Sequence, residues 1–349
     1  MRTLVTGGNG HIGAHVVRAV LERGWTPIAF ARPGSDRRGL AGLDVEIREG
    51  DLLDAGSVAR AMAGIETVMH VGAVHRNFAA DPDAIIGPAV EGTRNVLSAA
   101  RAAGVGRVVV TSTGATIGFT KDVTRPLDET STLEAPKAAY IRGKLEAEKL
   151  ALAAAAEGQD VVVLNPSGVF GPGDHRLTPA TRAIIGILQG DPAFFGVCLT
   201  DVRDVARAHV LAAERGKRGE RTLVVGEGLV PAAVSALFAE VAGVRPSTFR
   251  PPGFLLRFLA GRMEKAALAS GTDAPITRDA LADLGATGHL LYDGTKSKRD
   301  LGMSYRPARV VLEDTVRWLL FVDALRPKVA AKVRSKMGPR AAPDPDWTH

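Results

Sequence analysis

Thr6-Gly7-Gly8-Asn9-Gly10-His11-Ile12-Gly13 follows a short apolar strand, Arg2 to Val5, and leads into an apolar helix, Ala14 to Leu21. A strand, a glycine turn and a helix in that order build a phosphate cradle. Glycine permits positive φ and lets the backbone approach a pyrophosphate, while the free N–H groups and positive end of the helix attract its charge. The ligand of such a cradle is a dinucleotide. Spacing alone does not choose a subclass, because Gly8, Gly10 and Gly13 satisfy G-x-G-x-x-G while Gly7, Gly10 and Gly13 satisfy the wider G-x-x-G-x-x-G.

Outward from this turn, strands are expected at Thr26 to Ala31, Val45 to Arg48, Glu66 to Val71, Arg107 to Thr111 and Asp160 to Leu164, with helical patterns between them and a long helix from Lys137 to Glu157. Such alternation predicts an α/β fold, a Rossmann-type doubly wound parallel sheet with right-handed crossovers, spanning residues 1–170. Ligands then meet above the carboxyl ends of the strands. From about residue 171 a run of prolines and glycines breaks the alternation, which predicts a smaller C-terminal substrate-binding lobe over 171–323. Residues 201–226, a helix and a strand, are expected to return to the main sheet. The segment Pro252 to Leu268 spaces Phe254, Leu255, Phe258, Leu259 and Met263 as a helix does; packing into the core is the expectation, lining a substrate pocket the alternative.

The chain has 349 residues, 46% hydrophobic and 23% charged, a composition ordinary for a globular protein. One cysteine, Cys198, excludes an internal disulfide and supplies no zinc spacing, so no metal is expected. No apolar stretch is long enough to span a bilayer, and strand one begins too early for a signal peptide; the expected location is cytoplasmic. The net charge of +6 is concentrated late, where Arg326, Lys328, Lys332, Arg334, Lys336 and Arg340 occur with no acid among them. This basic tail, 324–349, is expected to be a solvated, partly helical extension, with weak contact to an anionic membrane surface as the alternative. No interleaved aromatics support nucleic-acid binding.

Tyr140-Ile-Arg-Gly-Lys144 places a phenol and an ammonium four residues apart on one helical face. A nearby ammonium stabilises phenolate and brings tyrosine toward acid/base duty. Thr111-Ser112-Thr113 ends the fifth strand, where its hydroxyls are expected to face the same crevice and hold a substrate oxygen. Lys144 can also reach a nicotinamide ribose. At the end of the second strand, where NAD-selective folds carry an acid, stands Arg32, with Arg37 and Arg38 close behind. A guanidinium suits a 2′-phosphate, so NADP is the favoured cofactor and NAD the alternative.

With these motifs in order, followed by Asn165-Pro166-Ser167-Gly168-Val169-Phe170-Gly171-Pro172-Gly173-Asp174 and Asp201-Val202-Arg203-Asp204, the chain resembles the extended short-chain dehydrogenase/reductase family from residue 1 to about 323. The resemblance is greatest to the branch of dihydroflavonol-reductase-like carbonyl reductases, 3β-hydroxysteroid dehydrogenases and hopanoid-associated sugar epimerases. It implies Tyr140 as catalytic acid/base, Lys144 as its partner and Thr113 in the place of the family's serine. It further implies cofactor contacts from Gly7, Gly10, His11, Ile12, Gly13, Arg32, Asp51, Leu52, Gly72, Ala73, Thr111, Pro166, Gly168 and Val169, and a homodimer through the Tyr140 helix. Ala89 departs from an asparagine frequent in relatives. His75, Arg76, Asn77, Phe170, His175 and Arg176 follow strand ends and are candidate contacts to a small-molecule substrate. The expected activity is hydride transfer to or from a carbonyl or secondary alcohol of a weakly charged molecule. Epimerisation or dehydration of a sugar or nucleotide sugar in the same site is one rival, and a non-catalytic cofactor-binding sensor or scaffold is another.

Overall fold

The computed structural model describes residues 1–73, 78–274, 276–285 and 287–338. Among the described residues the strands are, in chain order, β1 Arg2–Thr6, β2 Thr26–Ala31, β3 Glu46–Glu49, β4 Thr67–His70, β5 Arg107–Thr111, β6 Val161–Pro166, β7 Val169–Phe170, β8 Val197–Asp201, β9 Arg221–Val224 and β10 Glu227–Leu229. The α-helices are α1 His11–Glu22, α2 Ala55–Ala61, α3 Asp83–Ala102, α4 Ala139–Ala156, α5 Pro179–Leu188, α6 Val202–Arg215, α7 Pro231–Ala242, α8 Gly253–Ser270, α9 Arg278–Leu284, α10 Ala308–Phe321 and α11 Pro327–Met337.

Seven strands form one sheet in the order β3-β2-β1-β4-β5-β6-β9, all neighbours parallel. The valine-rich runs of β5 and β6 are buried on both faces, as a parallel sheet covered by helices requires. One face packs Val5, Ala29 and Met69 against Val16, Val17 and Val20 of α1 and Ala206 and Val210 of α6. The other packs Leu4, Val68, Val108 and Val163 against α2, α3 and α4. Thus α6 and β9 do return to the main sheet. The order reverses between β1 and β4, which opens a crevice at their carboxyl ends, beside the glycine turn.

The second lobe has a three-stranded sheet, β10-β8-β7, and its own core built from α5, α7, α10 and α11. The basic segment is helical over Pro327–Met337, as expected in part, but it is docked rather than solvated on all sides, because Ala330 and Val333 fill that core. Arg334 turns back to the Leu320 carbonyl and to Asp323.

Helix α8 corrects the expectation of a packed face. Its buried side consists of Ala260, Glu264 and Ala267, with Glu264 accepting from the Arg278 backbone and guanidinium at 2.7 Å, so small residues and an ion pair make the contact with α9. Phe254 and Phe258 are 77% and 61% exposed, and Leu255, Leu259 and Met263 are exposed beside them.

Candidate active site

The glycine turn is fixed by contacts that a side chain would destroy. A Cβ on Gly13 would stand 2.0 Å from the Gly7 carbonyl oxygen, and one on Gly7, whose φ is +63°, would stand 2.7 Å from Gly72 Cα. Gly10 N–H donates to the Gly7 carbonyl at 2.9 Å, and α1 starts at once, leaving its first N–H groups at the turn. Asn9 ties the turn to the next loop, donating to Ser35 Oγ at 3.0 Å and to the Asp36 carbonyl at 2.8 Å. The narrow turn and helix start fit a pyrophosphate. Side chains at the helix start serve another purpose: His11 and His15 both donate Nε2–H to the Pro172 carbonyl at 3.0 Å, joining α1 to the second lobe. Burial keeps the His15 imidazole well below its ordinary pKa.

A cleft of about 650 Å³ continues from this turn. Gly7, Arg32, Asp51, Leu52, Gly72 and Ala73 line its sheet side, while Arg176, Arg182 and Asp273 come from the second lobe. The Asp51 loop is held by Leu53 N–H donating to its carboxylate at 2.9 Å and by Ser57, whose hydroxyl donates to the Asp51 carbonyl at 2.8 Å. Arg37 pairs with Glu49, and Arg38 with Asp36 at 2.7 Å. Among the described residues no acid pairs with the guanidinium of Arg32, Arg176 or Arg182. Arg176, read from the sequence as a substrate contact, shares the cleft wall with Arg32 and Asp51.

Gly72 and Ala73 also border a void of about 10 Å³ that reaches Thr111, Ala89 and Lys144. The end of β4 therefore stands between the cleft and the Tyr140 helix. Thr113 and Tyr140 are neighbours, close enough for the Thr113 hydroxyl to pull the phenol's pKa down. Burial outweighs that pull and pushes the Tyr140 phenol up to about 12. Lys144, also buried, is brought down to about 8 by desolvation, against the pull of Glu148, and donates to the Thr111 carbonyl at 2.8 Å.

The three hydroxyls of 111–113 do not face one crevice. Thr111 Oγ1 meets His209 Nε2 at 2.8 Å on the α6 side of the sheet, Ser112 donates to Glu148 on the α4 side, and Thr113 lies by Tyr140 and pulls its pKa down. Glu148, one turn beyond Lys144, went unnoticed in the sequence. It is 1% exposed and accepts from Ser112, from Thr116 at 2.9 Å, from Asn165 at 2.8 Å and from Arg221 at 3.0 Å. Asn165 also donates to the Thr113 carbonyl at 3.2 Å, so this carboxylate braces the loop that carries Thr113. Its spacing from Lys144 was the available signal.

Other sequence candidates fall elsewhere. Phe170 lies in the second-lobe core with Leu199 and Val316, because β7 pairs with β8 and turns this ring inward. His175 stacks edge-on against Trp318, ring centres 4.8 Å apart. Gly168, at φ +58°, passes so close to β8 that a Cβ would lie 1.9 Å from the Cys198 carbonyl oxygen, while Pro166 ends β6 and Val169 pairs with Thr200. Ala89 meets Gly143 where α3 crosses α4, a site where bulk has no room. Asp201 caps α6 and holds Arg203, which also reaches Asp314 at 2.5 Å, in keeping with a structural part for this element. His75, Arg76 and Asn77 lie outside the described residues.

Residues 3–226 match the model of the NAD dependent epimerase/dehydratase family. A Synechocystis protein provisionally named a dihydroflavonol 4-reductase is 35% identical over 323 residues, 90% of this chain and 93% of that one. Sterol demethylase protein B of Methylococcus capsulatus is 33% identical over 325 residues, 91% of this chain and 98% of that one. The crystal structure of gox2253 superposes with a TM-score of 0.80 at 32% identity, covering 93% of this chain and 99% of that one. The chain therefore belongs to the NAD dependent epimerase/dehydratase family, within the extended short-chain dehydrogenases/reductases, and is an NAD(P)-dependent oxidoreductase.

Proposed function

We propose that the protein is an NADPH-dependent reductase of a ketone carried by a largely apolar, weakly charged molecule. The observation that carries the chemistry is the meeting of Thr113 with the buried Tyr140 phenol just past the carboxyl end of β5, with Lys144 one helical turn from the phenol. When bound, a reduced nicotinamide supplies hydride to the carbonyl carbon. Tyr140 gives its proton to the carbonyl oxygen, and the Thr113 hydroxyl orients that oxygen by hydrogen bonding. A phenol held at about 12 carries its proton at neutral pH, which suits an acid in the reductive direction. Lys144 supplies positive charge one turn from the phenolate that remains.

NADP preference is supported by three arginines that have no acidic partner among the described residues, Arg32, Arg176 and Arg182, around a single cleft. A 2′-phosphate answers that charge, whereas the free 2′-hydroxyl of NAD does not. An apolar substrate is in keeping with relatives named for a dihydroflavonol and a sterol. The test is NADPH oxidation against a panel of polycyclic ketones by the native chain and Tyr140→Phe. A fall in kcat/KM of at least about 10²-fold is expected for the variant; equal rates would remove Tyr140 from the chemistry.

A further inference from the structure

The exposed face of α8 has no assigned use. The helix is 18 residues long, about 27 Å at 1.5 Å per residue. Its amino-terminal half presents Phe254, Leu255, Phe258 and Leu259 to solvent, with Phe249 exposed just before it. Arg257, Arg262 and Lys265 are exposed along the same helix, and among the described residues none has an acidic partner. The helix's one acid, Glu264, is buried on Arg278. Successive residues turn by about 100°, which puts Phe254, Phe258, Arg262 and Lys265 in one arc opposite Ala260 and Ala267. None of the α8 apolar residues lines the cofactor cleft.

We infer that α8 docks this enzyme on an anionic lipid surface, its phenylalanines and leucines entering the headgroup boundary while Arg257, Arg262 and Lys265 meet lipid phosphates. Apolar side chains on one half of a helix and unpaired cations along it are the chemistry such a surface takes. Among the described residues no helix is long and apolar enough to cross a membrane, so the contact is interfacial. A second copy is the poorer occupant: self-pairing of this face sets its cations against each other with no exposed acid on the helix to receive them.

The docked helix is fastened to the rim of the site. Asp273, just past α8, lines the cleft and accepts from Phe78 N–H at 2.9 Å. Asp283 of α9 accepts from Lys137 and Ala138 N–H at 2.8 Å, immediately before the Tyr140 helix. Docking thereby brings the rim to the bilayer, where apolar ketones dissolve. The docking itself is independent of the ketone-reductase proposal.

The test is sedimentation of the full chain with vesicles of phosphatidylcholine alone or mixed with phosphatidylserine, with light scattering of the free protein. Binding to the serine-containing vesicles is expected, weakened at least about tenfold by Arg262→Glu/Lys265→Glu, by Phe254→Ser/Phe258→Ser and by omission of the anionic lipid. Unchanged NADPH binding by both variants shows that they are folded. No sedimentation of the native chain, or sedimentation indifferent to both variants, would overturn the inference. So would a dimer that Phe254→Ser/Phe258→Ser dissolves, since a second copy would then own the face.

Discussion

Lys144 Nζ lies 2.8 Å from the main-chain carbonyl of Thr111, the last residue of β5, so the helix that carries Tyr140 is bolted to the strand that leads to Thr113. The bolt is a buried ammonium held down to about 8 by desolvation, and it costs stability. Unfolded lysine titrates near 10.5, so the unfolded chain binds more protons between about 8 and 10.5, and stability rises with pH through that window. Below it the burial cost is fully present. Lys144→Met is expected to raise stability by about 1–3 kcal/mol at pH 7 while losing activity, the gain shrinking as pH approaches 10.5. Urea unfolding at both ends of the window checks this; a variant less stable at pH 7 would mean that the lysine's bonds outweigh its desolvation.

Glu148 is expected to matter twice. Glu148→Leu leaves Arg221 buried without its carboxylate and Ser112, Thr116 and Asn165 without their acceptor, a loss of about 3–5 kcal/mol. Glu148→Gln keeps acceptor oxygen and neutral donors, so it is expected to stay folded and to lower kcat more than KM through a looser Thr113 loop. Unaltered kcat in a folded Glu148→Gln would reduce Glu148 to a packing role.

Three buried histidines, His15, His70 and His209, set an acid limit, and burial holds His15 well below its ordinary pKa. Burial lowers His70 to about 3 and His209 to about 4, while each is hydrogen-bonded as a neutral ring between threonine and its other partner. The unfolded chain takes protons near 6.5, so their contribution is whole above that pH and is lost as pH falls toward the folded values. Between about pH 7 and pH 5 each histidine is expected to cost roughly 2 kcal/mol. Chemical denaturation across that range should show the drop, and His209→Gln should remove about a third of it; a flat profile would mean that these rings titrate normally.

Strand and helix alternation made the sheet legible, because a parallel sheet covered on both faces needs continuous apolar strands such as Val108 to Val110 and Val161 to Leu164. The glycine turn and the Thr113, Tyr140 and Lys144 cluster were legible because backbone conformation and helical spacing are local properties. What depends on the partner across the fold was not. Periodicity shows that α8 has an apolar face but not whether anything covers it. Phe170 sits at a strand end yet points into the lobe core, and the hydroxyls of Thr111 and Ser112 are claimed by His209 and Glu148, residues distant in sequence. Likewise the sequence sets Arg37 and Arg38 close behind Arg32 but does not show that Glu49 and Asp36 take them.

That leaves Arg32 to carry a definite consequence. Arg32→Ala is expected to weaken NADPH binding by about 10-fold or more and to leave NADH nearly unchanged, the loss of one charge-assisted phosphate contact. Fluorescence titration with both nucleotides checks it, and equal losses for the two would assign Arg32 to the shared part of the cofactor.

Native mass spectrometry of the purified chain, followed by NADPH and NADH titration, tests the proposed net reductase most directly. An enzyme of net redox must exchange its nucleotide every turnover, so the protein should release what it carries and bind NADPH more tightly than NADH. Stoichiometric NAD that stays bound through purification, with no exchange for NADPH, would contradict this and identify a site that returns its hydride within one turnover, as sugar epimerisation requires.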